Sequence, residues 1–169
     1  HNDFMYELLN DRFPDLDMLE ARAAQVWSRY GEPHRPVILN ISATGEHWGN
    51  RLEVARRLIA TARSHEFATV YGGHLVLLVT PTPRPQVEAT VSEICQLLER
   101  NHLNATAVVG AECRDLREWR ECILSALKLN DLLGTSGILW GMVWRRWLNY
   151  SNRLSETGWR SSAMPRWRR

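Results

Sequence analysis

Apolar positions recur along the chain at two periods, and the switches between them mark out its elements. Phe4, Leu8 and Leu9 make a short helical stripe that Phe13-Pro14 ends. Over residues 15–30, Leu16, Leu19, Ala23, Val26 and Tyr30 fall at helical spacing, and Gly31 stops the run. Pro33 and Pro36 bracket a connector, after which Val37-Ile38-Leu39-Asn40-Ile41 predicts a mostly buried strand. A loop through Gly45 to Gly49 leads to a helix over about 50–65. That helix puts Leu52, Ala55, Leu58, Ile59 and Ala62 on one face and Arg51, Arg56, Arg57 and Arg63 on the other. Two β-rich runs, 67–71 and 74–80, flank Gly72-Gly73. Glycine permits positive φ at both turn positions, so the spacing predicts a hairpin.

Thr82 is suited to cap a helix whose first position is Pro83, with Val87, Val91, Ile94 and Leu98 as its buried stripe. Residues 103–109 predict another strand. Asp115 followed by Glu118 is a capping-box variant, opening a helix with Leu116, Trp119, Ile123, Ala126 and Leu133 inward. From 33 to 133 the order is therefore β-α-β-β-α-β-α. Two crossovers and a central hairpin specify an α+β fold: a ferredoxin-like βαββαβ antiparallel sheet with helices on one face. The two N-terminal helices precede it and pack beside it. The division this implies is a helical lead-in over 1–32, the ferredoxin-fold domain over 33–134, and a tail over 135–169.

The length of 169 residues suits one domain with appendages. The longest apolar run, 75–79, is far short of the roughly 18 residues a membrane span needs, and no secretory signal opens the chain. Because it begins at His1, a fragment or a processed chain is expected. Cys95, Cys113 and Cys122 form no CxxC pair, which points to ordinary buried thiols in a reducing, cytoplasmic setting. The six histidines (1, 34, 47, 65, 74 and 102) show no metal-ligand spacing, and His65-Glu66 at a helix end reads as a dipole and solvation feature. No G-x-S-x-G elbow, Walker loop or G-x-G-x-x-G is present. The loop from Ser42 to Gly49 has two readings: a small-ligand or partner surface, or a solvated connection with Trp48 packed under the next helix.

Nucleotide-cyclising domains of the same β-α-β-β-α-β plan hold Mg²⁺ over the sheet with carboxylates from the first strand and the central hairpin, because Mg²⁺ takes hard oxygen ligands. In diguanylate cyclases that hairpin reads Gly-Gly-Asp/Glu-Glu-Phe. Here it reads Tyr71-Gly72-Gly73-His74-Leu75, and the strand ends Leu39-Asn40-Ile41-Ser42. No Asp or Glu lies between Glu32 and Glu46, or between Glu66 and Glu88. This pattern excludes a cyclase of that type and leaves no catalytic, cofactor-binding or metal residue to name. Gly72-Gly73 reads as a tight turn, since no helix N-terminus stands behind it to hold an anion.

Three stretches together resemble the PucR/CdaR group of bacterial transcription regulators. They are Phe4-x-x-x-Leu8-Leu9 with Leu19-x-Ala21-Arg22-Ala23 ahead of the first strand, the middle section with its silent hairpin, and Ala107-Val108-Val109-Gly110 followed by Leu116-Arg117-Glu118 through Ala126-Leu127. The likeness covers about residues 3–139. It implies a catalytically degenerate GGDEF-like domain that relays signals or self-associates, here as a homo-oligomer, with no cofactor and no membrane partner. DNA binding would belong to a C-terminal helix-turn-helix that this chain lacks, the effector being unspecified.

Charge divides the chain at the same place. Residues 1–133 carry 14 basic and 18 acidic side chains, whereas 134–169 carry seven Arg against Glu156 alone and five of the eight Trp. This tail has three open readings. It is a nucleic-acid arm, with Arg neutralising phosphates and Trp stacking on bases. Or Trp140, Trp144 and Trp147 share one face of a membrane-surface or partner helix. Or it is out-of-frame translation of a GC-rich gene, poorly ordered beyond residue 150. The alternatives to a relay domain are accordingly a small nucleic-acid-binding protein acting through the tail, or a degenerate nucleotide sensor that binds without turnover.

Overall fold

The computed structural model describes residues 2–45, 48–133 and 138–140. In chain order the elements are α1 (Asn2–Leu9), α2 (Leu16–Val26), β1 (Arg35–Ala43), α3 (Arg51–Ala62), β2 (Phe67–Tyr71), β3 (His74–Val79), α4 (Arg84–Arg100), β4 (Leu103–Val109), α5 (Trp119–Leu133) and β5 (Ile138–Trp140). The sheet order is β2-β3-β1-β4-β5. The first four strands pair antiparallel, which is the ferredoxin-like arrangement in an α+β fold. Gly72 and Gly73 both take positive φ, 58° and 81°, and close the β2–β3 hairpin with Tyr71 opposite His74.

Strand alternation sorts the core into two layers. Val37, Leu39 and Ile41 of β1 and Leu75, Leu77 and Val79 of β3 face α3 and α4, against Ala55, Ile59, Val91 and Ile94. The intervening Ile38, Val76 and Leu78 face the other way, against Phe4, Leu8, Trp27, Trp119 and Ile123. The crossover helices thus occupy one face, as the plan expects. The lead-in helices do more than pack beside the sheet: with α5 they cover its second face. The cause is visible in 75–79, an unbroken apolar run whose alternate residues both need burial.

Several boundaries shift for tertiary reasons. Helix α2 ends at Val26 rather than near Tyr30, because Trp27 turns extended (φ −150°, ψ 120°) and enters the core. There its indole Nε1 donates to His65 O at 2.9 Å. Thr82 does not cap α4; its hydroxyl donates to Glu112 instead, and Pro83 stands at the N-cap without a side-chain bond. Asp115 does cap, accepting from Arg117 N at 2.9 Å over a 3₁₀ turn at Leu116–Glu118 that leads into α5. Ile138–Trp140, assigned from sequence to the tail, pairs in parallel with β4. The expected disorder beyond residue 150 lies outside the described residues.

Gly110 follows β4 where the chain passes closest to β1. Its N–H donates to Pro36 O at 2.7 Å. A Cβ there would lie 2.8 Å from Pro36 Cγ and 3.1 Å from Ala126 Cβ. The proline ring and the α5 backbone have little room to give, so Gly110→Ala should cost about 1–3 kcal/mol of overpacking strain, read as a lowered urea midpoint at unchanged m-value.

Candidate functional site

The end of β1 beside the hairpin is where this β-α-β-β-α-β plan places chemistry, and the structure brings the sequence-marked positions together there. The last β1–β3 pair is Leu39 opposite Leu75, so Asn40 and His74 follow it on adjacent strands. Asn40 lies on the α5 side of the sheet, and its amide makes a reciprocal pair with Asn130: Asn40 Nδ2 donates to Asn130 Oδ1 at 2.7 Å, and Asn130 Nδ2 to Asn40 Oδ1 at 3.1 Å. Thr106 stands opposite Asn40 on β4, its buried Oγ1 without a hydrogen-bond partner among the described residues. Ser42 is exposed, His74 half-buried and Leu75 fully buried in the α3/α4 core layer.

These groups do not fit a Mg²⁺ ion. A neutral amide whose oxygen and nitrogen are both engaged by a second amide offers no anionic ligand, and Leu75 offers none at all. Among the described residues no group of three or more His, Cys, Asp or Glu is placed to hold a metal. The two amides, 90 residues apart in sequence, tie α5 to the central strand. Sequence reading missed Asn130, although 119, 123, 126 and 130 recur at helical spacing. Its polarity hid it in a stripe searched for apolar side chains.

Nearby groups occupy structural roles. Trp48 is not packed under α3; it is 52% exposed, with the Arg51 guanidinium 3.8 Å from its ring centroid. Arg51 also donates to Ile41 O at 2.8 Å, tying the helix start to the end of β1. Glu66 is not a solvated helix-end residue: its carboxylate is fully buried, 2.7 Å from Arg63 Nε and 3.0 Å from His65 Nε2. Arg63 reaches on to Glu93 of α4 at 2.7 Å, so the group joins α3, β2 and α4. Burial pushes the Cys95 thiol up, and the neighbouring Cys122 thiol together with burial does the same to Cys113.

His34 is a buried titratable group that sequence reading left in a connector. Its ring packs edge-on against Trp119 at 4.9 Å and Trp27 at 5.2 Å, Nδ1 donates to Glu32 O at 3.1 Å, and Nε2 has no partner among the described residues. Burial holds its pKa below the ordinary 6.5, partly opposed by the Glu32 carbonyl. The unfolded chain therefore binds this proton more readily than the folded one. The stability gained by burying the neutral ring is complete above pH 6.5 and falls as the pH drops below it. Thermal unfolding of the native chain should show a midpoint that falls as the pH drops below about 6.5, and His34→Phe should flatten that part of the curve.

Among the described residues no helix is long and apolar enough to cross a membrane. None of the curated proteins compared matches the chain. The family of GGDEF-like domains matches residues 10–130, a span running from the end of α1 to Asn130 and taking in the hairpin, the end of β1 and the amide pair. The chain belongs to the GGDEF-like domain family.

Proposed function

We propose that this chain is a non-catalytic signal-relay and dimerisation domain of a cytoplasmic bacterial transcription regulator of the PucR/CdaR type. The observation that carries the reading is the amide pair. At the strand position where a cyclase of this plan needs a carboxylate, Asn40 is bonded on both its polar atoms to Asn130. A group committed in this way serves to transmit a displacement of α5 to the centre of the sheet, not to bind substrate. Family membership and the resemblance of the lead-in helices and the β4–α5 junction support the regulator assignment.

In this reading DNA contact belongs to a separate helix-turn-helix module. The folded body, with 14 basic and 18 acidic side chains over 1–133, has no excess positive charge for phosphates. Relay by such a domain works through association with a second copy. Sedimentation velocity on the full chain across the micromolar range should show a monomer–dimer equilibrium, and a single monomeric species at every concentration contradicts the dimerisation part of the proposal.

A further inference from the structure

The sheet ends on one side in β2, and no described strand lies beyond it. The hairpin fixes which backbone groups of β2 point outward. Gly72 and Gly73, at φ 58° and 81°, make a two-residue type I′ turn, so Tyr71 and His74 are a hydrogen-bonded pair. Such pairs alternate along an antiparallel ladder, which makes Thr69–Val76 and Phe67–Leu78 the next ones. Ala68 and Val70 therefore turn their N–H and C=O groups away from β3, and no turn, loop or cap bond among the described residues takes them up. Both residues are half-buried, whereas Phe67 and Thr69 are buried. Ala68 also lines a groove of about 170 Å³. The charged residues of that groove are already compensated, Arg56 by Glu53 at 2.6 Å and Glu66 by Arg63 at 2.7 Å.

Exposed sheet edges are ordinarily blunted by a charge, a proline or a bulge. Phe67-Ala68-Thr69-Val70-Tyr71 carries no charge and no proline, and its register with β3 runs without a bulge. The edge is also complementary to itself. Turned about a two-fold axis through Thr69, Ala68 meets Val70 of a second copy, and Val70 meets Ala68 of that copy. These are the residues with outward groups, so both pairs exchange N–H···O=C bonds in antiparallel register, and Thr69 falls opposite itself at the closer, non-hydrogen-bonded spacing. A second copy is the partner that supplies this spacing on an equally uncharged strand. We propose, resting on the dimerisation reading, that two copies of this chain join edge to edge through β2 and form one continuous sheet across the two-fold axis.

Sedimentation velocity of the full chain beside its Val70→Pro variant tests the surface. The proline removes one outward N–H and spares the β2–β3 ladder, because that N–H faces away from β3. Dimerisation should weaken at least about tenfold while circular dichroism melting shows an intact fold. Thr69→Cys carries the test if the proline unfolds the domain. Across the two-fold axis its Cα atoms stand about 4.5 Å apart, within the range a disulfide spans. Mild oxidation with diamide should then yield covalent dimer at least about tenfold faster than in the unaltered chain, whose Cys95, Cys113 and Cys122 set the baseline. A dimer that tolerates Val70→Pro in a folded domain, or that gains no cross-link through residue 69, overturns the β2 assignment and leaves dimerisation to another surface. An unaltered chain that stays monomeric at every concentration overturns both, and leaves the edge to a strand of a different protein.

Discussion

Replacing Trp119 by alanine should destabilise the domain by about 3–5 kcal/mol, read from urea unfolding of the full chain. The indole is 1% exposed and meets three aromatic rings from different parts of the chain. Phe4 of α1 stands edge-on at 6.1 Å, His34 at the entry to β1 at 4.9 Å, and Trp27 beyond α2 at 6.1 Å. Truncation removes the apolar area, the edge-to-face contacts and the support each ring gives the others, and the surrounding helices cannot close so large a void. Against a typical domain stability of about 5–15 kcal/mol, the loss is a large share of the whole. It is also directional. Trp119 lies in the layer that holds α1, α2 and α5, while α3 and α4 pack in the other. Amide exchange in the variant should therefore quicken more in α1 than in α4.

Breaking the Asn40–Asn130 pair from one side should cost more than removing it altogether. Asn130→Leu leaves the Asn40 amide without either of its hydrogen bonds against an apolar helix face, at about 1–3 kcal/mol. In Asn40→Leu/Asn130→Leu both polar groups are gone, and most of that loss should return, as it does when apolar residues replace an entire buried polar pair. The double-mutant cycle should give a coupling energy of at least about 1 kcal/mol. Additive losses would mean that the two amides do not act as one unit, which would remove the proposed link between α5 and β1.

What could be read in advance followed the range over which each feature is determined. The Gly72-Gly73 hairpin is set by two residues that accept positive φ, and it forms where the pattern places it. The stripe from Val87 to Leu98 and the strand at 103–109 depend on periodicity alone and were equally legible. Features decided by distant partners were not. Helix α2 stops early because a carbonyl 38 residues away accepts the Trp27 indole N–H. Glu66 is buried because the Arg63 guanidinium compensates its charge. Strand β5 is three residues inside a stretch whose composition differs from the rest of the domain, and only the free edge of β4 organises it. At the candidate site the missing carboxylates were plain from the sequence. Asn130, which takes up the space and the hydrogen bonds at Asn40, needed the fold to bring it there.

The central claim is that the cyclase-like end of β1 has been given over to a structural amide pair. The most direct measurement is chromatography of nucleotides after incubating the full chain with Mg²⁺ and GTP or ATP. The account predicts unchanged nucleotide and no cyclised product. Measurable, Mg²⁺-dependent product that disappears on substituting Asn40 or His74 would contradict it.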